Sequence, residues 1–419
     1  MGFSREIGFI VFRILLPTVV LLIQFVLYRK SERWLKNTFP EKKAYRYIAR
    51  SLFIIFNVTF LYAVMVRPTT VYPVPDLVQL GSYPFFFWHT GCFFVGLFLF
   101  ISHLVRTPFK LGVWIARKMP ATKTRIARVE AMPAFQTFDT SRRKFLQRSM
   151  YGLTGVAFAG SAYGMLLEKH GCDIIPVEFF FPHLPEGLNG FTIALVSDIH
   201  SSIFMPKDEM DRYAALVNSL NADLIVVPGD FVNSNINEVY PFAESFSTLK
   251  APFGVYGVMG NHDFYAGADL VAKKVDECGI KLLRDDKVVI EKNGGKFYLL
   301  GVDDVGFENR APIKMDAALG YAPLEIPRIL LCHRPYYLKQ AADKNIDLVL
   351  SGHTHGGQIV LGRFGSVVLA PSRLASKYVW GKYQEGKTHM YVTSGIGTVG
   401  LPIRINCPPE ITKITLKRA

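Results

Sequence analysis

The sequence predicts an α-helical membrane domain followed by an α/β domain in which central β-sheets are flanked by helices. Half of the 419 residues are hydrophobic and 20% are charged, a balance that is unusually apolar for a soluble protein. Long apolar stretches are confined to residues 1–168, whereas short β-branched runs alternate with amphipathic helical stretches from about Val177 onward. We therefore place a transmembrane domain at residues 1–168 and a second domain at residues 169–419.

Four apolar stretches are predicted to cross the membrane, at about residues 8–28, 48–66, 83–105 and 149–167. The second is the weakest candidate, because its uncharged part at residues 51–66 is 16 residues long, against the roughly 20 that a spanning helix needs. Buried helices of a soluble domain are the alternative interpretation, which the length of the other runs disfavours.

The basic charge of the chain lies in the apolar half. Residues 1–168 contain 22 Lys and Arg against 7 Asp and Glu, whereas residues 169–419 contain 26 against 27. A nucleic-acid partner would require a basic surface on the folded domain, and the charge count of residues 169–419 argues against one. The excess is instead typical of loops that orient a protein in a lipid bilayer.

The loops between the apolar stretches predict the topology. Residues 29–50 contain eight Lys or Arg and residues 106–148 contain eleven, whereas residues 67–82 contain one. Basic loops remain in the cytoplasm, so the positive-inside rule places the second domain outside it. We expect a multi-pass protein of the cell (inner) membrane with its second domain on the extracytoplasmic side.

A second signal before the fourth stretch favours the same topology. Residues 141–147 read Ser-Arg-Arg-Lys-Phe-Leu-Gln and resemble a twin-arginine export motif. The export machinery would then be a partner, and the second domain would fold in the cytoplasm before it is exported. An ordinary positive-inside cluster is the alternative, and cleavage of the fourth span stays open.

The second domain is predicted to alternate strands with helices. Strands are predicted at residues 191–197, 224–228, 254–259, 328–331 and 348–351. Helical spacing occurs at residues 207–220, 240–249 and 269–278. Asn293-Gly294-Gly295 is predicted to form the turn of a hairpin within residues 288–302.

Polar residues able to bind metal follow each of the five predicted strands. They are Asp198 and His200, then Asp230, then Asn261 with His262 and Asp263, then His333, and finally His353 and His355. Ligands bind at the carboxyl edge of parallel strands, so we expect these side chains to converge at one edge of a largely parallel sheet. Carboxylate, amide and imidazole ligands suit manganese, iron, zinc or magnesium. The five cysteines have no paired spacing and indicate neither a disulfide framework nor a thiolate zinc site.

The order Asp-x-His, Gly-Asp, Gly-Asn-His-Asp, His and Gly-His-Thr-His resembles the calcineurin-like metallophosphoesterase superfamily. The Gly-Gly-Gln that follows the last pair, Gly395-Ile396-Gly397 and Leu401-Pro402-Ile403-Arg404 resemble its membrane-anchored YkuE/YaeI-like branch. The resemblance covers about residues 175–419 and does not account for the membrane half.

This resemblance implies two divalent metal ions, expected to be manganese, with iron, zinc or magnesium as alternatives. It assigns one ion to Asp198, His200, Asp230 and His355, and the other to Asp230, Asn261, His333 and His353. It also implies that His262 is the catalytic residue, acting as general acid or as hydrogen-bond donor to the leaving group. A packed structural histidine is the alternative for His262.

The residues after the Gly-Asp motif depart from one branch of the superfamily. Serine/threonine protein phosphatases place an Asp there that orients the catalytic histidine, whereas this chain reads Phe231-Val232-Asn233-Ser234. Protein phosphatase activity is therefore disfavoured. The carboxylate that orients His262 stays open among Asp263, Asp303 and Asp304.

The resemblance thus implies a metal-dependent phosphoric ester hydrolase, expected to be a phosphodiesterase. The expected substrate is a phosphodiester or pyrophosphate in an envelope or lipid-linked compound. A UDP-diacylglucosamine-type pyrophosphatase is one alternative, although its cytoplasmic substrate conflicts with the predicted topology. A membrane sensor or transporter with a metal-binding domain is another, but the few polar residues of the spans do not form an obvious ion pathway.

Overall fold

A computed structural model of the chain describes residues 14–66, 76–304, 311–365 and 367–419. These residues divide into two compact units. Among the described residues, the helical unit contains 14–66 and 80–162, and the α/β unit contains 76–79 and 163–419.

The helical unit is built from long helices with a small shared core. Its helices are α1 (Leu16–Thr38), α2 (Lys43–Val66), α3 (Asp76–Lys118), α4 (Pro120–Ala131) and α5 (Pro133–Leu166). Leu27, Cys92 and Val95 are buried in this core, where Trp88 and Phe158 pack against them. Many other large apolar side chains are exposed, among them Phe100 and Val156. An apolar outer surface of this extent is typical of helices that face lipid.

Two helical segments among the described residues are long and apolar enough to cross a bilayer, Gly81–Lys118 and Pro133–His170. They contain the third and fourth predicted spans. The prediction of four spans is not met by the described residues. Helix α2 is uncharged over 16 residues at most, which is short for a bilayer core of about 30 Å. The first predicted span begins at Gly8, which lies outside the described residues.

The α/β unit contains two six-stranded mixed sheets. The first sheet has the strand order β1 (Asp173–Phe181), β14 (Glu410–Arg418), β2 (Thr192–Leu195), β3 (Leu224–Val227), β4 (Val255–Gly257) and β5 (Lys281–Leu282). The second has the order β12 (Gly381–Glu385), β13 (Thr388–Val392), β9 (Leu348–Ser351), β8 (Arg328–Cys332), β7 (Gly295–Val302) and β6 (Asp286–Lys292). Strands β10 (Gly362–Phe364) and β11 (Val367–Leu369) form a separate antiparallel hairpin.

Parallel pairing dominates the centre of both sheets. Strands β2 to β5 are parallel, and so are β7, β8, β9 and β13. Antiparallel pairs join β14 to β2, β12 to β13 and β6 to β7. The metal-competent residues were expected on one largely parallel sheet, and this prediction is wrong because their strands are shared between two.

The two sheets pack face to face and helices cover their outer faces. Leu195 and Val226 of the first sheet and Leu331 and Leu350 of the second are buried in one apolar cluster between them. Further apolar clusters lie under the covering helices, which are α6 (Lys207–Ser219), α7 (Val239–Phe246), α8 (Asn261–Glu277), α9 (Ala311–Leu319) and α10 (Leu338–Asp343). The central strands are buried on both faces, which explains why they are continuous runs of Val, Leu and Ile.

Most predicted elements of this unit are confirmed, and one helix differs at its start. The hairpin turn is confirmed, with Asn293 and Gly294 both at positive φ. The helix predicted at residues 269–278 begins instead at Asn261, directly after the Gly260 N-cap. Gly267 has a φ of 134° inside this helix. This kink interrupts the apolar periodicity, so the sequence pattern did not predict the first two turns of the helix.

Candidate metal centre

Five strand ends from the two sheets deliver the predicted residues to one place. Residues Asp198 and His200 follow β2, Asp230 follows β3, Asn261 and His262 begin α8 after β4, His333 follows β8, and His353 and His355 follow β9. The side chains form three overlapping groups, each with its ligand atoms within 4.8 Å of one another. These groups are Asp198–His200–His355, His200–Asp230–His262 and Asp230–His333–His353.

The first group is entirely buried. His200 Nε2 lies 3.1 Å from His355 Nε2, and His355 Nε2 lies 3.5 Å from Asp198 Oδ1. Two ligand atoms about 2.1 Å from one ion, at a right angle, would lie about 3.0 Å apart. The spacing of the two imidazole nitrogens therefore fits a shared cation.

The third group, Asp230–His333–His353, lies beside the first, and Asp230 also belongs to the middle group with His200. Asp230 Oδ2 lies 3.1 Å from His333 Nε2 and 3.5 Å from His200 Nε2. On the far side, His333 Nε2 lies 3.2 Å from His353 Nδ1. One carboxylate thus faces histidines delivered by both sheets, which is the position that a bridging ligand requires.

An unpaired oxygen on Asn261, the residue before His262 in the chain, also points to a cation at this site. Asn261 is 5% exposed, and within the described residues its Oδ1 has no hydrogen-bond partner. A buried amide oxygen without a partner is costly unless a cation or water satisfies it. The donor set of carboxylate, amide and imidazole therefore fits divalent ions.

Left-handed backbone conformations bring these side chains together. Asp198, His200, Asp230, His353 and His355 all have φ between 48° and 71°. Such conformations are uncommon for residues other than glycine and cost free energy, and they cluster at functional sites. Sharp turns at the strand ends therefore aim the ligand atoms inward.

Glycines leave room for this crowding. A Cβ on Gly229 would lie 2.6 Å from the backbone nitrogen of Gly260 and 2.9 Å from His333 Nδ1. A Cβ on Gly352 would collide with the carboxylate of Asp198. The glycines of the Gly-Asp and Gly-His motifs are thus required by close packing around the ligands.

Burial sets the charge of the ligand residues. It lowers the pKa of His200 to about 3 and also lowers the pKa values of His353 and His355, so these rings stay neutral. It raises the pKa of Asp198 to about 6. Burial would also lower the pKa of His333, but the facing Asp230 carboxylate outweighs it and raises that pKa to about 10. Neutral imidazole is the form that binds metal.

The ring of His262 lies at the edge of the site and is partly exposed. Its Nδ1 contacts the carbonyl oxygen of Asn233, and its backbone N–H donates to Asp230 Oδ1 over 2.8 Å. Because a carbonyl can only accept, Nδ1 carries the proton of that bond. The Nε2 atom remains available for a reacting group.

The structure gives other partners to the three carboxylates considered for His262. Asp263 accepts backbone N–H bonds from Asp230, Phe231, Val232 and Gly260. Asp303 accepts from Arg284, and Asp304 accepts from Arg334. Asp263 therefore holds the loop after β3, while the described partner of His262 Nδ1 is a main-chain oxygen.

Sequence reasoning missed Glu238, which holds the loop that contacts His262. The Glu238 carboxylate accepts the backbone N–H groups of Asn233, Ser234 and Asn235 over 2.8–3.0 Å. This loop carries the Asn233 carbonyl oxygen. The spacing of Asn235 and Glu238 is that of a capping box, a sequence signal that identifies this role.

Arg404 is a second residue whose role the sequence did not reveal. Its fully buried guanidinium donates to carbonyl oxygens in residues 394–397 and 407–408. The first of these loops lies behind Asp198, where Gly397 N–H donates to the Asp198 carbonyl over 2.7 Å. Arg404 therefore fixes a loop that supports the first ligand turn.

Two facing mixed sheets with two ligand groups sharing one aspartate define a metallophosphoesterase, and the chain belongs to the calcineurin-like phosphoesterase family. The family model matches residues 191–357, from β2 to the turn after β9. This membership confirms the enzyme class predicted from the motifs.

Three relatives extend the similarity. The metallophosphoesterase YkuE of Bacillus subtilis is 32% identical over 66% of this chain and 98% of its own length. Phosphodiesterase YaeI of Escherichia coli is 29% identical over 66% of this chain and 99% of its own length. A Danio rerio protein named transmembrane protein with metallophosphoesterase domain is 34% identical over 62% of this chain, which spans 60% of that relative.

Proposed function

We propose that this chain is a membrane-anchored phosphodiesterase that hydrolyses phosphodiester or pyrophosphate bonds with two divalent metal ions. This proposal rests on the position of Asp230, which belongs to two of the ligand groups and faces histidines from both sheets. The similarity to a relative named phosphodiesterase supports the diester preference.

Seven residues would hold the two ions. One ion would be bound by Asp198, His200, Asp230 and His355, and the other by Asp230, Asn261, His333 and His353. Manganese is our first expectation, with iron, zinc or magnesium as alternatives. When bound, such a pair supplies an activated water nucleophile and offsets charge on the phosphoryl oxygens.

His262 would move the proton of the reaction. Its Nδ1 is held on Asn233, which leaves Nε2 to act as the donor to a leaving oxygen. The ring needs its second proton for this role. The bond to Asn233 fixes the ring plane, which aims Nε2 without a carboxylate partner.

The proposed substrate is an envelope or lipid-linked phosphate ester. Two candidate spans support membrane anchoring, and an anchored domain meets lipid-linked compounds more often than soluble ones. We further propose that residues 29–50 and 106–148 lie in the cytoplasm, that the α/β unit lies outside it, and that the twin-arginine export machinery is a partner. The Ser141–Gln147 motif lies within helix α5.

Hydrolysis of an activated phosphodiester by the detergent-purified full chain tests the activity. Turnover should require manganese or another divalent ion, exceed that of the matching monoester, and disappear in Asp230→Asn. His262→Ala should retain metal binding and lose most of the rate, by about 10²- to 10⁴-fold. Metal binding without turnover, in protein with an unchanged thermal melt, would favour the sensor alternative.

A reporter enzyme that is active only outside the cytoplasm, fused after Ala419, tests the topology. It should be active in the parent chain. The matched double variant Arg142→Lys with Arg143→Lys keeps the charge but removes the twin arginines, and it should abolish the reporter signal. An unchanged signal in that variant would assign these residues to ordinary positive-inside orientation.

A further inference from the structure

The β10–β11 hairpin has an apolar outer face, which is unusual for a surface ribbon. Alternation along a strand places Phe364, Val367 and Leu369 on one face and Arg363 and Val368 on the other. A hairpin that packs on a domain normally buries one apolar face and exposes a polar one. The exposed face therefore requires its own explanation.

The inner face of the hairpin is fixed to the domain. Val368 is fully buried in a cluster with Val360, Val379 and Trp380. The Arg363 guanidinium lies 4.4 Å from the centre of the Trp380 ring, a cation–π contact. The orientation of the ribbon is thus set by packing on one side.

The outer face is exposed together with its neighbours. Phe364 is 69% exposed, and Val367 and Leu369 are more than 40% exposed. Leu361 precedes the hairpin at 78% exposure, and Leu374 follows it at 95%. We call these five residues the apolar patch. Contiguous exposed apolar groups of this kind mark a site that binds protein or membrane.

The charge around the apolar patch favours an anionic partner. Residues 348–384 contain four Lys or Arg and no Asp or Glu. Three of the basic residues, Arg363, Arg373 and Lys377, are exposed and lie in the same segment as the patch. Apolar side chains flanked by basic ones are the pattern of surfaces that enter the headgroup region of an anionic bilayer.

The segment that carries the patch also packs against the loop of His353 and His355. Thr354 Oγ1 donates to the Val379 carbonyl over 2.6 Å, and the Cys407 thiol contacts the His355 carbonyl over 3.3 Å. Val379 and Cys407 belong to the cluster beneath the hairpin. The cluster that supports the hairpin therefore also supports the loop that carries two of the candidate ligands.

We propose that the apolar patch inserts into the headgroup region of an anionic lipid bilayer and holds the α/β unit against it. Membrane anchoring by the candidate spans, proposed above, would make this contact form at high effective concentration. The proposal concerns membrane contact and does not depend on the proposed catalytic activity.

Tryptophan quenching in vesicles tests this contact with the reconstituted full chain. Phe364→Trp adds a probe on the patch, and Tyr240→Trp on α7 adds a matched probe at an exposed aromatic position elsewhere on the unit. The added emission, measured against the parent protein, is compared in phosphatidylcholine vesicles with and without phosphatidylglycerol and brominated lipid. A thermal melt equal to that of the parent controls for folding.

Brominated lipid should remove about half or more of the emission added by Phe364→Trp and little of that added by Tyr240→Trp. Removing phosphatidylglycerol, or adding Val367→Ser with Leu369→Ser, should reduce this quenching. Equal quenching of both probes, or none, would overturn the proposal. A blue-shifted Phe364→Trp emission that brominated lipid does not quench would also overturn the proposal. That result would indicate that a second protein copy, rather than lipid, covers the patch.

Discussion

At the scale of single residues, burial raises the pKa of one ligand of the metal centre and lowers the pKa of another. Burial raises the pKa of Asp198 to about 6 and lowers that of His200 to about 3. Between these values Asp198 is protonated while His200 is neutral. Of these two ligands, the Asp198 carboxyl rather than the His200 imidazole therefore has to lose a proton before it binds metal in mild acid.

Metal binding should release about one more proton per protein at about pH 5 than at about pH 7.5. At the lower pH the Asp198 carboxyl must lose a proton to bind the ion, whereas at the higher pH it is already ionised. His200 stays neutral at both pH values. Calorimetric titration with manganese, in buffers of different ionisation enthalpy, measures the released protons.

In Asp198→Asn, the manganese binding that remains should release the same number of protons at the two pH values. An equal proton release at the two pH values in the parent protein would contradict the assignment to Asp198.

Glu238→Ala should lower the rate of diester hydrolysis by about tenfold and leave metal affinity unchanged. Without the carboxylate, residues 233–235 lose three backbone hydrogen bonds, and the Asn233 carbonyl no longer holds His262. Glu238→Gln keeps an acceptor oxygen and should retain most of the rate.

Glu244→Ala, at an exposed position on helix α7, whose N-cap residue is Glu238, is the matched control. Parallel measurement of the rate and of manganese affinity distinguishes positioning of His262 from general support of the fold. If Glu238 only supported the fold, Glu238→Ala would lower the rate and the affinity to the same extent.

At the scale of elements, the turns after the strands depend on glycines placed where a side chain would collide with the ligands. Gly229 and Gly279 have φ of 95° and 94°, but they differ in their surroundings. A Cβ on Gly229 would crowd Gly260 and His333, whereas a Cβ on Gly279 would meet nothing within 4 Å. Alanine variants at these two glycines therefore separate the cost of a left-handed backbone from the cost of crowding around the ligands.

Gly279→Ala should cost about 1 kcal/mol of unfolding free energy, from the left-handed backbone alone. Gly229→Ala should cost about 2 kcal/mol more and should also weaken manganese binding, because His333 must move. Thermal unfolding in detergent, with and without manganese, measures both effects. Equal losses in the two variants would show that the turn after β3 has room to adjust.

At the same scale, the sequence predicted most strands but not the start of helix α8. Strands β3 and β9 are short, almost wholly apolar runs, a pattern typical of strands buried on both faces. Helix α8 begins in residues that also bind and position the site. Their polar character masks the helical periodicity, so the pattern became visible only beyond Gly267.

At the scale of the whole molecule, the metal centre joins the two sheets of the α/β unit. Asp230 follows the first sheet and faces His333, which follows the second. Ions bound at this junction would bind the native state and not the unfolded chain. They would therefore stabilise the fold of the α/β unit as a whole.

Manganese at about 100 times its dissociation constant should stabilise the protein by about 2.7 kcal/mol. In a unit of this size that corresponds to a rise of about 5 °C in Tm. Differential scanning calorimetry of the full chain in detergent, with manganese and then with chelator, measures the shift. Asp230→Asn should lose most of it, and a full shift in that variant would place the stabilising ion elsewhere.

The sequence by itself determined the family, the α/β domain and the residues that the structure brings together as candidate ligands. It did so because those residues follow strands in a fixed order, and order along the chain is what a sequence records. Only the tertiary structure decided that two sheets supply them, that Asn233 contacts His262, and that Glu238 and Arg404 support the site. These facts depend on which atoms meet across the fold, and local patterns of hydrophobicity and charge carry no information about that.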